Sequence, residues 1–223
     1  VLSSSVTALN ASTRTALISI TLSEASPSFS DLNVQVVGGS LSGFGGSALN
    51  YTATFTPQEN YSGAASLKIG ANSFEDAAGN RNADEVVQAL TVDRVAPSVT
   101  VVSTDKPLGL KAGESATLTF TVSEGGVSGF EAADVAVNGV TGSGLITNFG
   151  GTGTTYTATF TPTATTMSTA VITVPAGVFR DAAGNLNTST GATLSVPVDL
   201  VRPTAVLSSS VTALNASTRT ALI

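Results

Sequence analysis

The chain has 223 residues, a formal net charge of −6, 42% hydrophobic and 11% charged residues, and neither cysteine nor histidine. Disulfide frameworks, thiolate metal sites, cysteine nucleophiles and Ser-His-Asp triads are therefore excluded, and the absence of any Lys/Arg cluster argues against a nucleic-acid partner. No apolar run approaches the roughly 20 residues of a membrane span, so a membrane span is not expected in these residues.

From the N-terminus, short runs rich in Val, Ile, Thr, Phe and Tyr alternate with clusters of Gly, Asn, Ser and Pro. No helical periodicity is visible, and the pattern predicts an all-β chain. The first set of predicted strands is 1–8, 16–23, 33–37, 41–45, 50–56, 65–71 and 85–92. Ile18, Ile20 and Leu22 share one face of the second strand, opposite Ser19 and Thr21. Tyr51, Ala53 and Phe55 share a face opposite Thr52 and Thr54. Such alternation gives a sheet with one buried side.

Val92-Asp93-Arg94-Val95-Ala96-Pro97 then reads as a joint, because proline has no N–H for a ladder and suits the opening of a strand. A second set of strands follows at 98–103, 115–123, 134–138, 145–149, 155–161, 170–174 and 192–198, ending in a second joint, Val198-Asp199-Leu200-Val201-Arg202-Pro203. Seven short strands in about 100 residues predict an immunoglobulin-like sandwich, here two in tandem, without the Cys and Trp marks of antibody domains.

Repetition supports this division. Tyr51-Thr-Ala-Thr-Phe-Thr-Pro57 recurs at 156–162, and Phe74-Glu-Asp-Ala-Ala-Gly-Asn80 recurs as Phe179-Arg-Asp-Ala-Ala-Gly-Asn185. Residues 1–18 return unchanged at 206–223, a shift of 205. The expected domains are 1–93 and 98–199, with 204–223 holding the first strand and the start of the second of a further repeat. That last piece is too short to bury a core. The natural N-terminus is expected to lie before Val1.

The Asp-Ala-Ala-Gly-Asn motif is itself a turn signal, with Gly79 and Gly184 free to take positive φ and Asp76 and Asp181 able to accept from nearby N–H groups. Ser123-Glu124, Gly129-Phe130-Glu-Ala-Ala-Asp134, the two repeated motifs and the Val-Asp-x-x-x-Pro joints together resemble the bacterial Ig-like repeats of giant, biofilm-associated and type I-secreted surface adhesins. The resemblance implies an extracellular structural role at the bacterial cell surface. Neighbouring repeats, and other copies in a filament or biofilm matrix, would be the partners, and calcium would rigidify the joints. The first domain departs from the second at Asn33, where the other has Asp134, and at its first loop, Asn10-Ala-Ser-Thr-Arg-Thr15 against Lys111-Ala-Gly-Glu-Ser115.

Strand parity gives the joint an argument of its own. If strands alternate in direction, the loops after strands two and six lie at the pole where the preceding linker enters. In the second domain those loops carry Glu124 and Asp181, and the linker carries Asp93. Three converging carboxylates repel unless a hard, oxygen-liganded cation joins them, and calcium tolerates such irregular sites better than magnesium. Glu24 and Asp76 would form part of an equivalent site in the first domain, and Asp199 the linker part of a third. The alternative is that these acids are simply solvated. Asp134, at a strand start, suits capping or turn bonding better than ligation.

A ligand-binding adhesion module, for glycan, ice or host protein, is the competing function. It is poorly supplied, with no Trp, three Tyr and 5% aromatic residues. Carboxylate pairs can act as acid and base, but no cleft accompanies them, and the chain does not read as an enzyme. Strand addition by 206–223 to another copy would need a neighbour lacking its first strand.

Overall fold

A computed structural model describes residues 1–140, 144–163, 167–189, 191–210, 212–213, 215–217 and 219–220. The first half forms β1 (Leu2–Ser4), β2 (Ala8–Leu9), β3 (Ala16–Thr21), β4 (Val34–Val37), β5 (Gly39–Ser47), β6 (Asn50–Pro57), β7 (Ser62–Ile69) and β8 (Val86–Asp93). They make two sheets, ordered β1-β3-β6-β5 and β2-β8-β7-β4. The second half repeats the plan with β9 (Val99–Thr104), β10 (Leu110–Lys111), β11 (Ala116–Val122), β12 (Ala136–Asn138), β13 (Leu145–Thr152), β14 (Thr155–Thr161), β15 (Met167–Thr173) and β16 (Thr193–Asp199). Its sheets are β9-β11-β14-β13 and β10-β16-β15-β12.

The alternation read from sequence becomes the core. Ala16 faces Phe55, Ile18 faces Ala53 and Ile20 faces Tyr51 across the β3–β6 ladder, all buried. In the first two of these pairs a small residue stands beside a large one. The second domain repeats this with Ala116 against Phe160, Leu118 against Ala158 and Phe120 against Tyr156. Burying one such aliphatic or aromatic side chain is worth about 1.5–3 kcal/mol. At the entry pole of each sandwich an aromatic group closes the core. Phe29 and Phe74 lie 5.0 Å apart in the first domain, and Phe130 and Phe179 lie 4.8 Å apart in the second.

Two departures from the sequence reading concern the first strand. A continuous strand over 1–8 was expected. Instead β1 pairs with β3 in one sheet and β2 pairs, in parallel, with β8 in the other. One straight strand can join only one sheet, so residues 5–7 cross the gap. The Ser4 hydroxyl closes the bend by donating to the Val6 carbonyl at 2.6 Å. The second domain makes the same switch through β10, parallel to β16, a two-residue strand that the sequence reading missed.

A bulge shifts β5 between Ser42 and Gly45, and a matching one shifts β13 between Thr147 and Gly150. The left-handed position is Gly43 (φ +60°) in one and Asn148 (φ +50°) in the other. Both residue types tolerate that conformation, asparagine because its short amide can bond locally. The described residues of 204–220 are exposed and form no strand.

Candidate functional site

The linker between the domains is held at both ends. Arg94 folds back on the first domain, its guanidinium donating to the Pro57 and Gln58 carbonyls at 3.0 and 3.3 Å. The Val95 N–H donates to the Asp93 carboxylate at 3.2 Å, which turns the chain. Pro97 is buried, and its carbonyl accepts from Thr188 N–H at 2.9 Å. Ser98 then pairs with Ser123, whose N–H donates to the Ser98 carbonyl at 2.8 Å and whose hydroxyl accepts from the Ser98 N–H at 3.0 Å. Glu124, the next residue, is thereby fixed beside the incoming linker.

Asp181 opens the second domain's Asp-Ala-Ala-Gly-Asn turn. Its two oxygens accept from the Asn185 backbone N–H at 2.8 Å and the Asn185 side-chain amide at 2.7 Å. Gly184 supplies the left-handed residue, φ +87°. Asp181 is only 3% exposed, while Asp93 and Glu124 are half-buried. One carboxylate oxygen of each of the three lies within 4.8 Å of the others. The structure thus brings together Asp93, Glu124 and Asp181, from the linker and the loops after β11 and β15.

Two ionised carboxylates at that separation repel by about 1 kcal/mol in bulk water and about 3 kcal/mol at the effective dielectric of a protein surface. Burial, then the charges of Asp181 and Asp93, push the Glu124 carboxyl above its ordinary pKa of 4.5. Among the described residues no lysine or arginine forms an ion pair with any of the three. The donors are all oxygen, and the charge asks for a compensating proton or a hard cation.

The other sequence-selected acids stand apart from this group. Glu24 is exposed in the loop after β3, and Asp76 is half-buried in the first domain's turn. Asp199 is exposed at the end of β16, accepting from Val201 N–H at 3.0 Å as Asp93 accepts from Val95. Among the described residues Asp93, Glu124 and Asp181 form the one acidic group of three or more. Asp134 accepts from the Glu131 N–H at 2.8 Å in a short 3-10 turn, and Asn33 does the same for Ser30 at 2.7 Å, so either residue serves that turn.

Three asparagines of the site region were not given roles by the sequence reading. Asn185, 2% exposed, donates from its side chain to the Asp93 carbonyl at 2.9 Å as well as to Asp181. Its side-chain oxygen accepts from the Ala11 N–H at 2.7 Å. Asn10 donates to the Ala183 carbonyl at 2.7 Å. Asn187 accepts from the Val178 and Phe179 N–H groups at 2.7 and 3.0 Å and donates to the Pro175 carbonyl at 2.8 Å, pinning the approach to the turn. The available signal was that Asn82 and Asn187 follow the two motifs at the same distance.

A family model described as bacterial Ig-like domain matches residues 1–92 and again 93–198. No curated protein matches the sequence. Among solved structures, InvD of Yersinia pseudotuberculosis is 20% identical with a TM-score of 0.37, over 89% of this chain and 56% of that one. Invasin, described as a bacterial integrin-binding protein, is 13% identical with a TM-score of 0.40, over 88% of this chain and 39% of that one. The I9–I11 tandem of titin is 9% identical with a TM-score of 0.33, over 90% of this chain and 66% of that one. The chain spans about half the length of the two bacterial structures. Among the described residues no helix is long and apolar enough to cross a membrane.

Proposed function

The chain belongs to the bacterial Ig-like domain family, in two tandem copies, and from that premise we propose that it is an extender segment of a long, repetitive bacterial surface adhesin, with calcium held between its domains. Domains of this family are structural and binding modules, not enzymes. The observation that carries the proposal is the convergence of Asp93, Glu124 and Asp181 across the joint. The unchanged return of residues 1–18 at 206–223 supports an array longer than two modules.

The donor set fits a hard cation, since it is three carboxylates with one almost fully buried and none ion-paired among the described residues. Asp93, Glu124 and Asp181 would hold the ion, whose charge would offset their mutual repulsion. Asn185 orients Asp181 by donating to it and ties the same turn to the linker. Calcium, tolerant of irregular oxygen shells completed by carbonyls and water, suits this set better than magnesium. Binding by groups from both domains would couple the ion to their relative orientation. A strand rises about 3.3 Å per residue, so each rigidly joined module would add a few nanometres of reach, outside the cell.

Calorimetric titration of the full chain with Ca2+ and with Mg2+ tests the site. Saturable calcium binding that Glu124→Gln weakens, with magnesium bound less well, is the expected result. No heat on calcium addition would remove calcium from the proposal. Antibody labelling of intact cells making the whole protein tests the location, and labelling only after lysis would overturn it.

A further inference from the structure

We propose that Asn10-Ala11 is a docking element that fixes one domain on the next without any cation, and that the surface it fits is the Asp-Ala-Ala-Gly-Asn turn of the module that follows. The inference does not rest on calcium, because the three bonds that join loop, turn and linker use no carboxylate.

Asn10 follows β2, which β8 carries to the exit pole of the first domain. Its side-chain oxygen is used locally, accepting from Ser12 N–H at 2.9 Å, Ser12 hydroxyl at 2.8 Å and Thr13 N–H at 2.7 Å. Those bonds fix the amide plane and leave its NH2 directed at the Ala183 carbonyl, 2.7 Å away. The adjacent Ala11 N–H donates to Asn185 at 2.7 Å, and Arg14 braces the loop by donating to the Ala11 carbonyl at 2.8 Å. Asn185 completes the chain of bonds by donating to the Asp93 carbonyl at 2.9 Å. Loop, turn and linker are thereby tied together by neutral amides.

The loop's shape is written in its own sequence. Residues 215–219 repeat 10–14, and there Asn215 again accepts from Ser217 N–H at 2.9 Å and Ser217 hydroxyl at 2.7 Å, and Arg219 donates to the Ala216 carbonyl at 3.1 Å. A docking element preformed in this way loses little freedom when it docks. The second domain has no counterpart. After Leu110, where the first domain has Asn10 after Leu9, comes Lys111, and the Glu114 carboxylate closes that loop by accepting from the Lys111 N–H at 3.2 Å. The turn is common to both domains, so the loop decides which joints are locked this way. Joints led by an Asn10-type loop are fixed, and joints led by a Lys111-type loop lack this lock.

The chain has no cysteine, so spin labels can be placed on the full chain at Thr52→Cys and Thr157→Cys, both exposed, and the distance between domains measured in chelator. The expected result is a narrow distribution for the parent chain. Asn10→Asp keeps the local acceptor and removes the donor to Ala183, and it should broaden the distribution. Replacing residues 10–15 by the sequence of 111–115 should broaden it as well. Asn215→Asp, the same change in the repeated segment, should leave it narrow. Circular dichroism checks that each variant is folded. A broad distribution for the parent chain in chelator overturns the lock while leaving the calcium reading standing. A folded Asn10→Asp or loop-exchange variant as narrow as the parent overturns it too. Broadening by Asn10→Asp with no response of the parent to calcium supports the lock and counts against the calcium site instead.

Discussion

Asp76 and Asp181 open the same five-residue turn and share two local bonds. Asp76 accepts from Asn80 N–H and the Asn80 side-chain amide, each at 2.8 Å, and Asp181 accepts from the same two groups of Asn185 at 2.8 and 2.7 Å. Yet Asn80 is exposed and Asn185 is 2% exposed. In front of Asn185 stand Ala11 and the Asp93 carbonyl. The turn is a product of local sequence, and its burial and chemistry come from a neighbour far away in the chain.

The comparison can be broken most forcibly through the phenylalanine that opens each motif. Phe179 is fully buried against Phe130, whereas Phe74 is half-buried. Phe179→Ala should cost its domain about 3–5 kcal/mol, and Phe74→Ala clearly less. Denaturant unfolding followed by a probe in each domain measures both, and equal losses would show the two poles to be equally packed.

Next come the asparagines that follow the turns. Asn187→Ala orphans the Val178 and Phe179 N–H groups, at about 1–3 kcal/mol for each buried group left unpaired. Asn82→Ala orphans Ser73 and Phe74 N–H groups in a half-buried setting, where water can replace the amide. Its unfolding midpoint should move less.

The acids sharpen the contrast further. Glu124→Gln removes the largest share of the repulsion at the full joint, and in an Asn10→Asp background, in cation-free solution at neutral pH, it should narrow the interdomain distance distribution that loss of the lock broadens. Glu24→Gln, at an exposed position, should leave its domain's stability unchanged within about 0.5 kcal/mol.

The smallest effect is the pH response, and its sign differs between the two poles. The Glu124 carboxyl is raised by burial and by Asp181 and Asp93, so the assembled joint holds more protons than the opened one. Without cation it should be tightest below the ordinary value of 4.5 and loosen as pH rises through the elevated pKa. The Asp76 carboxyl is lowered by the Asn80 side-chain amide and backbone N–H. Its contribution is therefore present above the ordinary value of 3.8 and lost as pH falls through the lowered one. Carboxyl chemical shifts followed against pH would refute this pairing if Asp76 titrated above Glu124.

Much of this was legible in the sequence because it depends on period and parity. Ile18, Ile20 and Leu22 fall on the buried face as their alternation requires. The convergence of Asp93, Glu124 and Asp181 follows from counting strand directions, which needs no side-chain detail. The strand switch was hidden because residues 1–8 contain no Gly, Pro, Asn or Asp to punctuate the run, and three serines in a row carry no period that would mark the crossing. β10 was hidden because Leu110-Lys111 is too short to show a period. The role of Asn10 lay further out of reach. It depends on the direction of one amide and on a carbonyl 173 residues away, and the loop was visible in sequence only as a difference between the two domains.

The strand switch has a mechanical consequence. In each module a short strand early in the chain lies parallel to the end of the last strand, Ala8 beside Thr91 and Leu9 beside Val92, then Leu110 beside Val198 and Lys111 beside Asp199. Tension on the two ends of the chain drags these neighbours in opposite directions along their length. The ladder is then sheared, its bonds sharing the load, instead of being unzipped one at a time. Lifetime under such a pull is governed by the unfolding barrier and not by equilibrium stability, so a module without disulfides can still resist extension.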